Sequence, residues 1–243
     1  MKSKRLFLAG LCVWSLQAFA GVDIKPAPQE KIPEYVAELQ DGARKTAEEI
    51  AAFKSAVDRK IARPMPTNFQ QDYVLKQKAG TTSVWKLYDI RQPAAPKLLD
   101  TWFARNGKSV QASAIKNADG SGLFAEMPTG ARKFIGTKAT EHLSADAEMK
   151  ALERAIRVRQ KNGLKPSQVR LEGVVDKAPC ASCEMNIRSA EWTSATPGGE
   201  DKVGSTLVAR DIQVHHLEGQ SELDLSRFRK NQISSALGEA GCN

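Results

Sequence analysis

The chain has 243 residues, 41% hydrophobic and 26% charged, with 36 Lys and Arg against 28 Asp and Glu for a formal charge of +8. This balance excludes a disordered chain and supplies material for one large domain or two small ones. The basic excess is compatible with an anionic partner such as nucleic acid, and equally with a solvated surface of mixed charge.

The first twenty residues read as a separate unit. Lys2, Lys4 and Arg5 form a basic start, Leu6 to Trp14 an apolar run, and Ala18-Phe19-Ala20 a small-residue cleavage signature, which is the pattern of a secretory signal peptide. The apolar run is shorter than the roughly 20 residues a bilayer requires, and no later stretch qualifies. The expected location is therefore secreted or periplasmic, with no membrane association after cleavage. Cleavage removes three positive charges, taking +8 to +5, and Cys12 leaves with the peptide. Cys180, Cys183 and Cys242 remain, an odd number that cannot build a disulfide framework. A CxxC pair with one leftover thiol fits metal or redox chemistry better.

From Asp41 to Ala62, Ile50, Phe53, Val57 and Ile61 recur at helical spacing, and Pro64 and Pro66 stop the pattern. This predicts a long amphipathic helix whose stripe serves packing, with docking to a partner as the alternative. The period then shortens: Val84, Trp85, Leu87, Tyr88 and Ile90 predict a strand over 83–90, ended by the extended spacer Gln92-Pro93-Ala94-Ala95-Pro96. Leu98 to Ala104 and Ser109 to Ile115 flank Arg105-Asn106-Gly107-Lys108, which predicts a β-hairpin with an Asn-Gly turn. A compact domain is thus expected from residue 98 to 243, after a signal peptide at 1–20 and a helical N-terminal region and linker at 21–97. Asn117 to Gly122 is rich in turn formers and reads as a loop.

Helical spacing returns between Ser144 and Gly163, with Met149, Leu152 and Ile156 on one face and Asp146-Ala147-Glu148 in the first turn. Taken alone, this acidic start is a helix cap with a favourable charge at the positive end of the helix dipole. Val169, Leu171 and Val175 then predict a strand, and Pro179-Cys180-Ala181-Ser182-Cys183 opens a further helix. Two thiolates at this spacing on a helix N-terminus can bind one metal ion, because both sulfurs reach the same side and the dipole favours the thiolate.

In this order the residues resemble the zinc-dependent cytidine deaminase-like superfamily, whose signature is H-x-E on one helix and P-C-x-x-C on the next. The second half matches in full. The first half reads Asp146-Ala147-Glu148, with aspartate where the histidine ligand stands, as in variants that this sequence resembles among bacterial secreted deaminase toxins. The resemblance spans roughly 98–237. It implies an α/β fold, a three-layer α/β/α domain with a mixed sheet, preceded by the helical N-terminal region. It also implies that Asp146, Cys180 and Cys183 ligate Zn2+ and that Glu148 is the catalytic proton carrier. The substrate would be a nucleobase in nucleic acid or a nucleotide, and a toxin of this kind would have an immunity protein as partner. A carboxylate in place of imidazole adds negative charge beside two thiolates and makes the metal a weaker Lewis acid. His142, four residues ahead of Asp146, is an alternative third ligand.

His215 and His216 end a strand expected over 206–217, where adjacent residues face opposite sides and one at most can face a site. Trp192 is a candidate wall for a base pocket, with a place in the core as its alternative. Leu225, Phe228, Ile233 and Leu237 predict a closing helix, and Cys242 reads as an exposed thiol. Two other functions fit the chain. One is a periplasmic CxxC thiol-disulfide oxidoreductase, which leaves Asp146 and Glu148 unexplained. The other is a catalytically inactive binding protein that retains the deaminase fold.

Overall fold

The computed structural model describes residues 21–61, 75, 77–106, 124–125, 146–195 and 200–238. The expected signal peptide, His142, Cys242, the second hairpin strand at 109–115 and the loop at 117–122 lie outside them. Five strands form one mixed sheet: β1 (Val22–Pro26), β2 (Thr82–Asp89), β3 (Lys97–Arg105), β4 (Val169–Val175) and β5 (Asp211–His216). Their order across the sheet is β1-β5-β4-β2-β3, with β1, β5 and β4 mutually parallel and β2 antiparallel to both β4 and β3. Among the described residues, the helices α1 (Ile32–Asp58), α2 (Ala147–Lys161), α3 (Ala181–Ser189) and α4 (Gly219–Leu237) cover it.

Alternation along the strands divides the core into two faces. Trp85 and Leu87 of β2, Trp102 and Ala104 of β3, and Val169, Leu171 and Val175 of β4 pack with Met149, Leu152 and Ile156 of α2 and Ile187 of α3. Val84 and Val174, the out-of-phase residues, pack with Leu39 of α1 and Leu225 of α4. The chain therefore has an α/β fold in three layers, with α2 and α3 on one face and α1 and α4 on the other. Each fully buried Leu or Ile of α2 stabilises this arrangement by about 1.5–3 kcal/mol. Gly173 lets β4 pass beneath an aromatic ring: a Cβ there would stand 2.5 Å from Trp85 Cζ3. Gly163, at φ +66°, supplies the left-handed turn just beyond α2.

Two expectations change, while the hairpin expected between 98–104 and 109–115 has its second strand outside the described residues. Strand β3 pairs with β2, reached through 90–96, with Trp85 opposite Trp102. The boundary expected at residue 98 therefore falls beside a hairpin whose two strands belong to one sheet. Residues 22–26, expected to lie in a helical region, form an edge strand paired with β5. Helix α1 begins at Ile32, ahead of the expected Asp41, because Pro33 suits the first helical turn and Val36 and Leu39 already carry the buried stripe.

The connection β4-α3-β5 joins neighbouring parallel strands, so α3 starts at their carboxyl ends and descends across the sheet. Its far end is fixed by Arg188 Nη1, which donates to the carbonyl of Val22 at 3.4 Å, where β1 begins. Since β3 runs in the same direction as β4, the carboxyl ends of β3, β4 and β5 share one edge of the sheet. Helix α2 starts at that edge as well, because the amide of Ala147 donates to Asn106 Oδ1 at 3.1 Å, directly after β3.

Candidate functional site

Two helix N-termini thus meet at the carboxyl edge of the sheet, where the positive ends of their dipoles favour anionic side chains. Asp146 occupies the N-cap position of α2, yet its side chain makes no cap hydrogen bond. Asn106 Oδ1, at the end of β3, accepts from the amide of Ala147, the first residue of the helix. The Asp146 carboxylate is turned to the neighbouring helix, with Oδ2 at 3.6 Å from Cys183 Sγ. Cys180 is the N-cap of α3, and its sulfur accepts a hydrogen bond from the amide of Cys183 at 3.4 Å. Cys180 is exposed and Cys183 is 3% exposed, so the pair runs from the surface inward.

Glu148 lies in the first turn of α2 and is 3% exposed. Burial pushes its carboxyl up to about 7, and the charges of Asp146 and Asp176 push in the same direction. Burial also raises the Cys183 thiol, followed by the charge of Glu148 and the contact with Cys180. The site therefore gathers acidic groups out of water, and the structure brings Asp146, Glu148, Cys180 and Cys183 to one place. In the sequence, Cys180 stands 32 positions after Glu148.

Two of the expected donors stand at the spacing of zinc ligands. A tetrahedral zinc with one sulfur and one carboxylate ligand holds those two atoms about 3.5 Å apart, and the Asp146 to Cys183 separation is 3.6 Å. No group of three or more His, Cys, Asp or Glu among the described residues stands together as a metal site. The assembled part is the Asp146–Cys183 pair, with Cys180 one helical turn before Cys183.

Other expected residues separate clearly. His215 turns away from the site and stacks on Tyr35 of α1, with ring centroids 5.5 Å apart. Trp192 cannot wall a pocket at the cysteines: it follows the far end of α3, and its amide donates to Ala209 O at 2.8 Å, before β5 begins. Nine residues of helix, roughly 13 Å, lie between. Asn106 was not legible as a site residue, because within Arg105-Asn106-Gly107-Lys108 it carries the signature of a turn. Asp176, directly after β4, also bears on Glu148. Its position between a strand and the CxxC segment was the available signal.

Comparison of the chain with protein-family models, with curated proteins and with solved structures finds no match.

Proposed function

We propose that the protein is a secreted zinc-dependent hydrolase that deaminates a nucleobase, in nucleic acid or in a nucleotide, and acts as a toxin or effector. The observation that carries this reading is the orientation of Asp146. An aspartate at a helix N-cap ordinarily bonds the free amides of its own helix. Here the Asp146 side chain makes no cap bond, and its Oδ2 accepts from Cys183 Sγ at 3.6 Å, a separation that also suits two ligands of one zinc.

Asp146, Cys180 and Cys183 would hold the zinc, with both helix dipoles favouring their anionic forms. The metal supplies Lewis-acid activation of water when bound. Glu148 supplies the proton traffic: a carboxyl poised near pH 7 accepts a proton from water and returns it to the departing amine. Hydrolytic deamination then replaces the exocyclic C–N bond by C–O and releases ammonia.

The test is base-resolved sequencing of nucleic acid exposed to the zinc-loaded protein, beside nucleoside assays for ammonia. C-to-T or A-to-G changes are expected, and Glu148→Gln should lower the rate by roughly 10²- to 10⁴-fold. Equal outcomes for wild type and Glu148→Gln would remove the catalytic reading. The second reading, a thiol-disulfide oxidoreductase, draws on an exposed Cys180 above a buried Cys183 at a helix start. Its signature is insulin disulfide reduction that disappears in Cys180→Ser. In that reading the Asp146–Cys183 contact is a thiol-to-carboxylate hydrogen bond, and Glu148 is left without a role.

A further inference from the structure

Cys180 and Cys183 are both free thiols at the start of α3, and their surroundings differ. Cys180 is exposed, whereas Cys183 is 3% exposed and sits against the Asp146 carboxylate. A reagent in solution reaches the first sulfur and not the second.

The backbone sets their separation. The carbonyl of Cys180 accepts from the amide of Glu184 at 2.9 Å, which closes the first helical turn and places Cys183 within it. Helix geometry then holds the two Cα atoms about 5 Å apart, inside the span of roughly 4.4–6.8 Å that a disulfide bridges. The side chains are turned toward each other as well: Cys180 Sγ lies 3.4 Å from the Cys183 amide, and the Cys183 thiol is in contact with Cys180. A disulfide here is within reach of side-chain rotation.

Two features make such a bond reversible. The Cys183 thiol donates to Asp146 Oδ2 at 3.6 Å, and a disulfide removes that donor from a carboxylate set beside the buried Glu148. The other sulfur is exposed. Exposed bridges formed against a lost contact are the reducible ones, unlike the structural bridges of small exported domains.

We infer that the zinc site of the proposed deaminase is controlled by oxidation: a Cys180–Cys183 disulfide withdraws both sulfur ligands, and reduction restores them. The inference rests on the zinc reading of the site. The oxidant is a low-molecular-weight disulfide such as glutathione disulfide. Its S–S bond is attacked by the exposed Cys180 sulfur and one glutathione thiolate leaves; the Cys183 sulfur then displaces the second glutathione from the mixed disulfide. Two protein thiols become one disulfide, and one disulfide becomes two thiols. Zinc and the disulfide compete for the same sulfurs, so each excludes the other. An effector that crosses an oxidising compartment and acts in a reducing one would travel empty and load on arrival.

The experiment equilibrates the zinc-free full chain in glutathione buffers from fully reduced to fully oxidised, alkylates the remaining thiols and weighs the tryptic peptide 178–188, which holds both cysteines. A peptide two hydrogens lighter than the unlabelled form should replace the doubly alkylated one as glutathione disulfide rises. Freed of buffer and offered equimolar zinc, the oxidised chain should bind about 10-fold less than the reduced chain and recover after a phosphine reductant. Zinc added first should keep the peptide doubly alkylated at a poise that oxidises the zinc-free chain. A peptide that stays alkylated in the most oxidised buffer, a glutathione adduct that stops at Cys180, or equal zinc in both forms overturns the inference. So does loss of helical circular dichroism on oxidation, because zinc would then leave with the fold. Zinc that follows the thiols without deamination above the level of Glu148→Gln sustains the inference and removes the deaminase reading. No zinc in the reduced chain removes the zinc reading, and this inference with it.

Discussion

One face of the sheet matches its buried carboxylates with guanidinium groups, and the other holds, beside the paired Glu153, one buried carboxylate outside any ion pair among the described residues. On the α1/α4 face, buried carboxylates are matched with guanidinium groups: Glu49 of α1 pairs with Arg105 at the end of β3, and Asp176 after β4 pairs with Arg229 of α4. On the α2/α3 face, Glu148 is equally buried but enters no ion pair among the described residues, and its charged neighbours are Asp146 and Asp176. A paired carboxylate fixes packing. One outside any ion pair, set beside thiols and another carboxylate, has its carboxyl pushed up by burial and by like charge.

The contrast is sharpest when one charge is deleted on each face. Arg229→Met leaves the Asp176 carboxylate buried without its partner and should destabilise the chain by about 3–5 kcal/mol, read from the denaturation midpoint. The opposite sign is expected for Glu148→Gln in metal-free protein. Below about pH 4.5 the carboxyl is protonated whether the chain is folded or not, so the variant gains nothing there. As pH rises from about 4.5 to about 7, the unfolded chain loses this proton first, and wild type loses stability. Above about 7 the deficit is constant, at most about 3 kcal/mol, and Glu148→Gln should be more stable by up to that amount. A flat difference between pH 4 and 8 would put Glu148 on the same footing as the paired face. Zinc should act in the same sense: a chelator ought to lower the thermal midpoint of wild type while leaving Cys183→Ser nearly unmoved, as linkage requires of a ligand bound to the folded state. The smallest effect belongs to Tyr35→Phe, which removes only the part-buried contact with His215 Nδ1 at 3.3 Å. It should cost about 1 kcal/mol and leave activity unchanged.

Local patterns announced those elements whose identity is local. Met149, Leu152 and Ile156 fix α2 by spacing alone, and Val169, Leu171 and Val175 fix β4 in the same way. Val22–Pro26 was not legible, because two apolar residues before a proline become a strand only when β5 stands beside them. The pairing of β2 with β3 was likewise hidden, because a spacer containing two prolines lies between the two strands. At the candidate site, residue types and their order were legible. Orientation was not: whether Asp146 caps its helix or faces Cys183 depends on the neighbouring helix start, more than thirty residues later in the chain.

The edge strand has a consequence for how the chain acquires its structure. Val22 pairs with Ile212, nearly the whole chain apart, so one of the first described segments docks against one of the last. Contacts of such sequence separation carry a large loop-closure cost and slow folding. Until β1 arrives, β5 presents an open hydrogen-bonding edge to other chains. Aggregation during refolding should therefore track the exposure of Ile212 and Val214, and the order of the molecule's assembly is set by the strand that contributes least to its core.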